Sequence, residues 1–219
     1  MANHKRKSKR NSIMGRSDIP FAQRMAMKHQ ADIAYNRERS ARNYMYCLCK
    51  TLNEEEGIGY KRLVTFSIAF MKLIKEFYED PEVEMAHIKQ RLEQHGIEVS
   101  GEFYSAKLSG ANSKEQAVYD HAMQSVQAAQ LVGAVAMNDV FGFGKMRQDR
   151  LREAVQRNTA RYAKEGEGFL LEAMEKIGFV VQGNNVRAFI EEDGTPVLKS
   201  RAMKEGFEND QRQRSENRV

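Results

Sequence analysis

One ten-residue pattern occurs twice, and this recurrence restricts the architectures open to the chain more than any other feature. Asn53-Glu54-Glu55-Glu56-Gly57-Ile58-Gly59-Tyr60-Lys61-Arg62 returns 85 residues later as Asn138-Asp139-Val140-Phe141-Gly142-Phe143-Gly144-Lys145-Met146-Arg147. Both fit N-[ED]-x-x-G-[IF]-G-x-x-R. The flanks follow suit. Leu52 answers Met137, Phe66 answers Leu151 and Phe70 answers Val155 at the same offset. Tyr78 answers Tyr162 at offset 84, and Gly96-Ile97-Glu98-Val99 answers Gly178-Phe179-Val180-Val181 at offset 82, the slippage expected of a shortened loop. The chain is therefore expected to contain two copies of one module.

Each copy reads as three helices. The first helix of copy one covers about 20–54, with Ala34, Ala41, Met45, Leu48 and Leu52 on one stripe at three- and four-residue spacing. Ser17, Asp18 and Pro20 supply its start signals. Its counterpart begins at Ser113-x-x-Gln116, read as a capping box, and carries Val118, Ala122, Ala129, Val132 and Ala136. The second helices, about 60–79 and 145–164, follow the glycine pairs directly. The third starts at Asp80-Pro81 in copy one, a side-chain cap followed by proline, and ends at Gly96; in copy two it runs from near Gly168 to Gly178. From Val180 to Leu198 the composition changes to short β-rich runs with turn signals at Gly183-Asn184 and Asp193-Gly194, which predicts a small β-meander. The fold class is mainly α: a flexible basic arm (1–17), module one (18–99), a linker (100–112), module two (113–181), the meander (182–198) and a polar tail (199–219).

The Gly-x-Gly pair is not a phosphate loop. A dinucleotide fingerprint requires a third glycine where Arg62 or Arg147 stands and a strand where a helix precedes, and no G-K-[ST] follows. A helical corner explains the residues: Gly57 or Gly142 in the left-handed conformation, Ile58 or Phe143 folded back as the cap's apolar contact, and Gly59 or Gly144 opening the next helix. Asn53 and Asn138 are expected to hydrogen-bond the corner backbone. Arg62 and Arg147 place a cation near a helix N-terminus, against the dipole. Two compensations are open: salt bridges to Glu54 and Asp139, or bound phosphates beside Lys61 and Lys145.

Charge is uneven. Residues 1–44 hold eleven Lys and Arg against Asp18, Asp32 and Glu38, a balance of +8, which leaves −3 on the remainder of a +5 chain. Lys5, Arg6, Lys7, Lys9 and Arg10 form a block that seeks polyanions or simply solubilises. The basic start lacks the apolar run of a secretory signal, and the most apolar stretch, Ala128 to Phe143, is too short and interrupted to span a bilayer, so the chain is expected in the cytosol. Cys47 and Cys49, two apart on a helix, diverge by about 200° and are expected as reduced thiols. His4, His29, His87, His95 and His121 are scattered, without HExxH, CxxC or an Asp-rich loop, so no metal, cofactor or catalytic constellation is expected.

At the corner, Asn138 to Arg147 resembles the N-D-x-F-G-F-G-x-x-R motif of a group of phage and prophage proteins of Gram-positive bacteria. Asn53 to Arg62 is a looser copy, with Glu56 and Ile58 where the motif has aromatics. The resemblance covers residues 40–99 and 115–181. It implies a mobile-element origin in a bacterial cytosol and carries no assigned activity or functional residue.

The leading functional expectation is non-enzymatic nucleic-acid binding. Lys5, Arg6, Lys7, Lys9 and Arg10 of the arm, Arg37, Arg39 and Arg42 of the first helix, and the corner residues Lys61, Arg62, Lys145 and Arg147 would contact phosphates. The alternatives are a phage-encoded protein that binds and inhibits a host nucleic-acid-handling defence protein, as an anti-CRISPR does, or a helical scaffold or assembly factor.

Overall fold

A computed structural model describes residues 20–97, 109–190 and 195–197. The expected arm, the core of the linker, the Asp193-Gly194 turn and the polar tail lie outside these residues. Among those described, the chain forms six helices and four short strands: α1 (Phe21–Glu56), α2 (Tyr60–Glu79), α3 (Pro81–Gln94), α4 (Ser113–Phe141), α5 (Lys145–Glu165), α6 (Glu167–Ile177), β1 (Val180–Gln182), β2 (Asn185–Arg187), β3 (Phe189–Ile190) and β4 (Pro196–Val197).

Local chemistry sets most boundaries. α1 ends at Gly57, with φ 63° and ψ 23°, and α4 ends at Gly142, with φ 70° and ψ 26°. A Cβ at either glycine would touch nothing, so the left-handed backbone alone demands glycine. Beyond the turn, the Ile58 amide donates to the Leu52 carbonyl at 3.2 Å and the Phe143 amide to the Met137 carbonyl at 3.3 Å. Each bond reaches back six positions, one further than the C″-to-C3 bond of a Schellman cap, and both cap side chains are buried. Asn53 Nδ2 donates to the Ile58 carbonyl at 3.0 Å and Asn138 Nδ2 to the Phe143 carbonyl at 3.4 Å. Asp80 caps α3 by accepting from the Val83 amide, with Pro81 as first helical residue.

Three expectations need correction. The capping box of α4 is Asn112 with Glu115, one residue before the expected Ser113 and Gln116: the Asn112 side chain accepts from the Glu115 amide, and the Glu115 carboxylate accepts from the Asn112 amide. Ala34 is exposed, because the buried face of α1 begins only at Ala41. The meander divides into two ladders, β1 with β2 and β3 with β4. Only Ala188 separates β2 from β3, which leaves no turn between them that would let them pair.

Packing joins the two runs of three helices in one core. α1 lies chiefly against α4; α5 and α6 cover other faces of α1, and α2 and α3 pack on α4. Contacts advance along α1 and α4 in the same direction, since Ser125 meets the Arg37 carbonyl and Gly133 meets Leu48, so the two long helices run parallel. A Cβ at Gly133 would lie 2.6 Å from Leu48 Cδ1, so glycine there permits the close approach. Gly133 and Leu48 are 85 positions apart.

The same exchange recurs elsewhere. Tyr78 of α2 places its hydroxyl on Ser125 of α4, and the Tyr162 hydroxyl of α5 accepts from Asn43 Nδ2 of α1 at 2.8 Å. In each run the second helix thus reaches the first helix of the other run.

Candidate functional site

Neither glycine corner orients its arginine toward solvent phosphate alone. Arg147 Nε pairs with Glu56 at 3.2 Å, and its guanidinium lies 4.4 Å from the Phe143 ring centroid. Arg62 lies 4.9 Å from the Phe141 ring centroid. Glu56 and Phe141 are again 85 apart, so each corner arginine meets the last residue of the other run's first helix. The expected partners are different: Glu54 pairs with Lys50, and Asp139 pairs with Arg91 of α3. An offset search could have exposed Glu56 and Phe141 as an equivalent pair, although only the folded contact shows that each faces the opposite arginine.

The arginines of α1 also have neighbours within the folded body. Arg37 sits 4.0 Å above the Tyr78 ring, Arg39 pairs with Glu167 of α6 at 2.8 Å, and Arg42 lies 3.9 Å from Glu38. The hydrogen bond to Glu167 holds the Arg39 guanidinium above its ordinary range. Their partners lie on three different elements, α2, α6 and α1 itself. Lys61 and Lys145 are exposed in the first turns of α2 and α5, with no ion pair among the described residues. Lys5, Arg6, Lys7, Lys9 and Arg10 lie outside the described residues.

Two grooves occupy corresponding places. One, about 560 Å³, runs between α4 and α5 with Gln130, Leu131, Asp149, Arg152 and Gln156 in its lining. The other, about 320 Å³, has Met45, Tyr46, Val64, Ser67 and Met71 at the positions 85 residues earlier. Met174, Phe179, Val186 and Ala188 line its remaining wall. The groove faced by the C-terminal hairpin is thus apolar, whereas the corresponding positions in the other are mostly polar. This is what burial requires: polar side chains without partners would be costly beneath an apolar cover.

Cys47 and Cys49 are free and buried. Burial pushes their thiols up to about 11 and about 12, from an ordinary value of 9.0. The raised folded-state values have a definite consequence. Below pH 9 both folded and unfolded chains keep these protons; as pH rises toward 12 the unfolded chain releases them first, so stability falls. Denaturant midpoints should decline between about pH 9 and pH 10.5, and substitution of both cysteines by alanine should flatten that part of the decline. An equally steep decline in the double variant would assign it to other groups, such as the buried tyrosines.

Two further buried polar side chains are tied together, since Asn158 Nδ2 donates to Thr51 Oγ1 at 2.9 Å and Thr51 donates to the Cys47 carbonyl at 2.8 Å, whereas Arg42 Nε and Asn43 Oδ1 are buried without a hydrogen-bond partner among the described residues. Among the described residues, no group of three His, Cys, Asp or Glu side chains could hold a metal ion, and no helix is long and apolar enough to cross a membrane. No family model matches the chain, and no curated protein or solved structure matches it.

Proposed function

We propose that this chain is a non-catalytic, nucleic-acid-binding protein of a phage or mobile element, acting in the bacterial cytosol, whose helical body is a scaffold for a basic arm. The observation that carries this reading is the partition of charge: +8 over residues 1–44 against −3 over the rest. Five of the folded-body cations expected to touch phosphate, Arg37, Arg39, Arg42, Arg62 and Arg147, have internal partners. The polyanion-seeking role therefore falls to Lys5, Arg6, Lys7, Lys9 and Arg10, with Lys61 and Lys145 as additional contacts.

The body itself is a product of internal duplication, in two three-helix modules related by a pseudo-two-fold axis along the parallel α1 and α4. The direct contact between positions 48 and 133 supports this, because residues on such an axis meet their own counterparts. The matched grooves and exchanged arginine contacts point the same way.

Fluorescence anisotropy with labelled single- and double-stranded oligonucleotides tests the binding role. Affinity should fall steeply with salt, and removing residues 1–12 should reduce the logarithmic salt slope by about 4, since five lysines and arginines each displace roughly one counterion. Binding should weaken alike for every sequence, because phosphate contacts position without specifying. An absence of binding by the full chain at low salt would remove this reading and favour a protein partner.

A further inference from the structure

The first twenty residues of α1, Phe21 to Ser40, include none that is buried, although the helix continues into the centre of the core. A stretch of that length spans about 30 Å and gains little stability from propensity alone. It nevertheless carries four large exposed apolar side chains: Phe21 at 72% exposure, Met25 at 41%, Met27 at 53% and Tyr35 at 58%. On a helical projection Phe21, Met25, Lys28, Asp32 and Tyr35 fall within an arc of about 80°, at alternating four- and three-residue spacing, the seam of a coiled coil. Met25, Lys28 and Asp32 of this arc form one wall of a groove of about 620 Å³ and face Lys114, Glu115, Val118, Tyr119 and Ala122 of α4.

We propose that this seam is an antiparallel homodimer interface, its occupant being the same seam of a second copy. The charges select that partner. Lys28 and Asp32 are one turn apart with opposite signs, and neither is in an ion pair among the described residues. A two-fold axis crossing the seam level with residue 30 sets each Lys28 against Asp32 of the second copy, twice. The same operation sets Met25 against Tyr35 of the second copy, so apolar side chains flank the central ion pairs on both sides. A surface that satisfies itself under a two-fold rotation is the requirement of an isologous contact. The α4 segment at Val118, Tyr119 and Ala122 supplies the groove wall, and two helices from each copy form a four-helix arrangement. A parallel contact would instead set Lys28 on Lys28 and Asp32 on Asp32.

Sedimentation velocity and light scattering of the full chain at increasing concentration test the proposal. A mass of twice 25.1 kDa is expected at micromolar concentration. Asp32→Lys places lysine against lysine at both central contacts and should weaken association at least tenfold. The double variant Lys28→Asp with Asp32→Lys restores opposite charges and should recover the dimer, an outcome that nonspecific adhesion would not produce. Met25→Asp should also give monomer. These positions are not buried, so the far-ultraviolet circular dichroism and unfolding midpoint of monomeric variants should report an intact core. A monomeric wild-type chain at every concentration would overturn the proposal, as would a dimer that survives both Asp32→Lys and Met25→Asp.

Discussion

Replacing Gly133 by leucine should destabilise the protein by about 3 kcal/mol, the upper end of the ordinary overpacking range. A first side-chain carbon at this position would already lie 2.6 Å from Leu48 Cδ1, and Leu48 is itself 1% exposed. The neighbouring ring atoms of Phe70 and Tyr44 stand at 3.7 and 3.8 Å, so a side chain added here meets three side chains at once. Leu48→Ala, which opens a cavity at the same place, should cost a similar amount, about 3 kcal/mol. The two changes are complementary in volume. The double variant should therefore be less damaged than the sum of the singles by about 1 kcal/mol or more, whereas distant sites add within a few tenths. Urea unfolding of the four proteins in the cycle measures this coupling. Strict additivity would mean that α1 and α4 can separate independently at this level, which would contradict the close approach that glycine permits.

Helix ends were legible where the signal is local. Gly57, Gly142 and Asp80-Pro81 act through backbone conformation and short-range hydrogen bonds, both encoded within a few residues. The one-residue slip at α4 has the same origin, because Asn112-x-x-Glu115 and Ser113-x-x-Gln116 both satisfy a capping-box pattern, and only geometry decides between them. Partners were less legible. The sequence pairs Arg147 with Asp139 by proximity along the chain, but the crossing of α5 onto α1 brings Glu56 to it instead. Likewise Arg39 and Arg37 read as free cations, since nothing nearby in sequence announces Glu167 or the Tyr78 ring. The stripe of α1 was readable from Ala41 onward, where packing makes the periodicity matter. Toward its start Ala34 keeps the helical spacing without being buried, so periodicity there reports helix and not core.

Phe66→Ala should be the most damaging single truncation near the first corner, costing about 4 kcal/mol. Phe66 is fully buried and stands at the head of a run of aromatic contacts. Its ring stacks on Phe141 at 5.7 Å and 21°, and Phe141 in turn meets Phe143 at 5.3 Å. Phe70 closes the other side at 6.2 Å. Removing the Phe66 ring therefore leaves a cavity between α2 and the end of α4, and also deprives Phe141 of the stacking that fixes the surface beneath Arg62. The corresponding position of the second run holds Leu151, 3% exposed, which suggests a sharper test. Phe66→Leu keeps a bulky apolar side chain and should retain more than half of the stability that Phe66→Ala loses. Arg62→Ala, at an exposed site, should cost less than about 1 kcal/mol, consistent with a surface cation over a ring. Denaturant unfolding of the three variants should give alanine at 66 far below leucine at 66, with alanine at 62 near the wild type. A loss below about 1 kcal/mol for Phe66→Ala would show that α2 and α4 hold together without this stack.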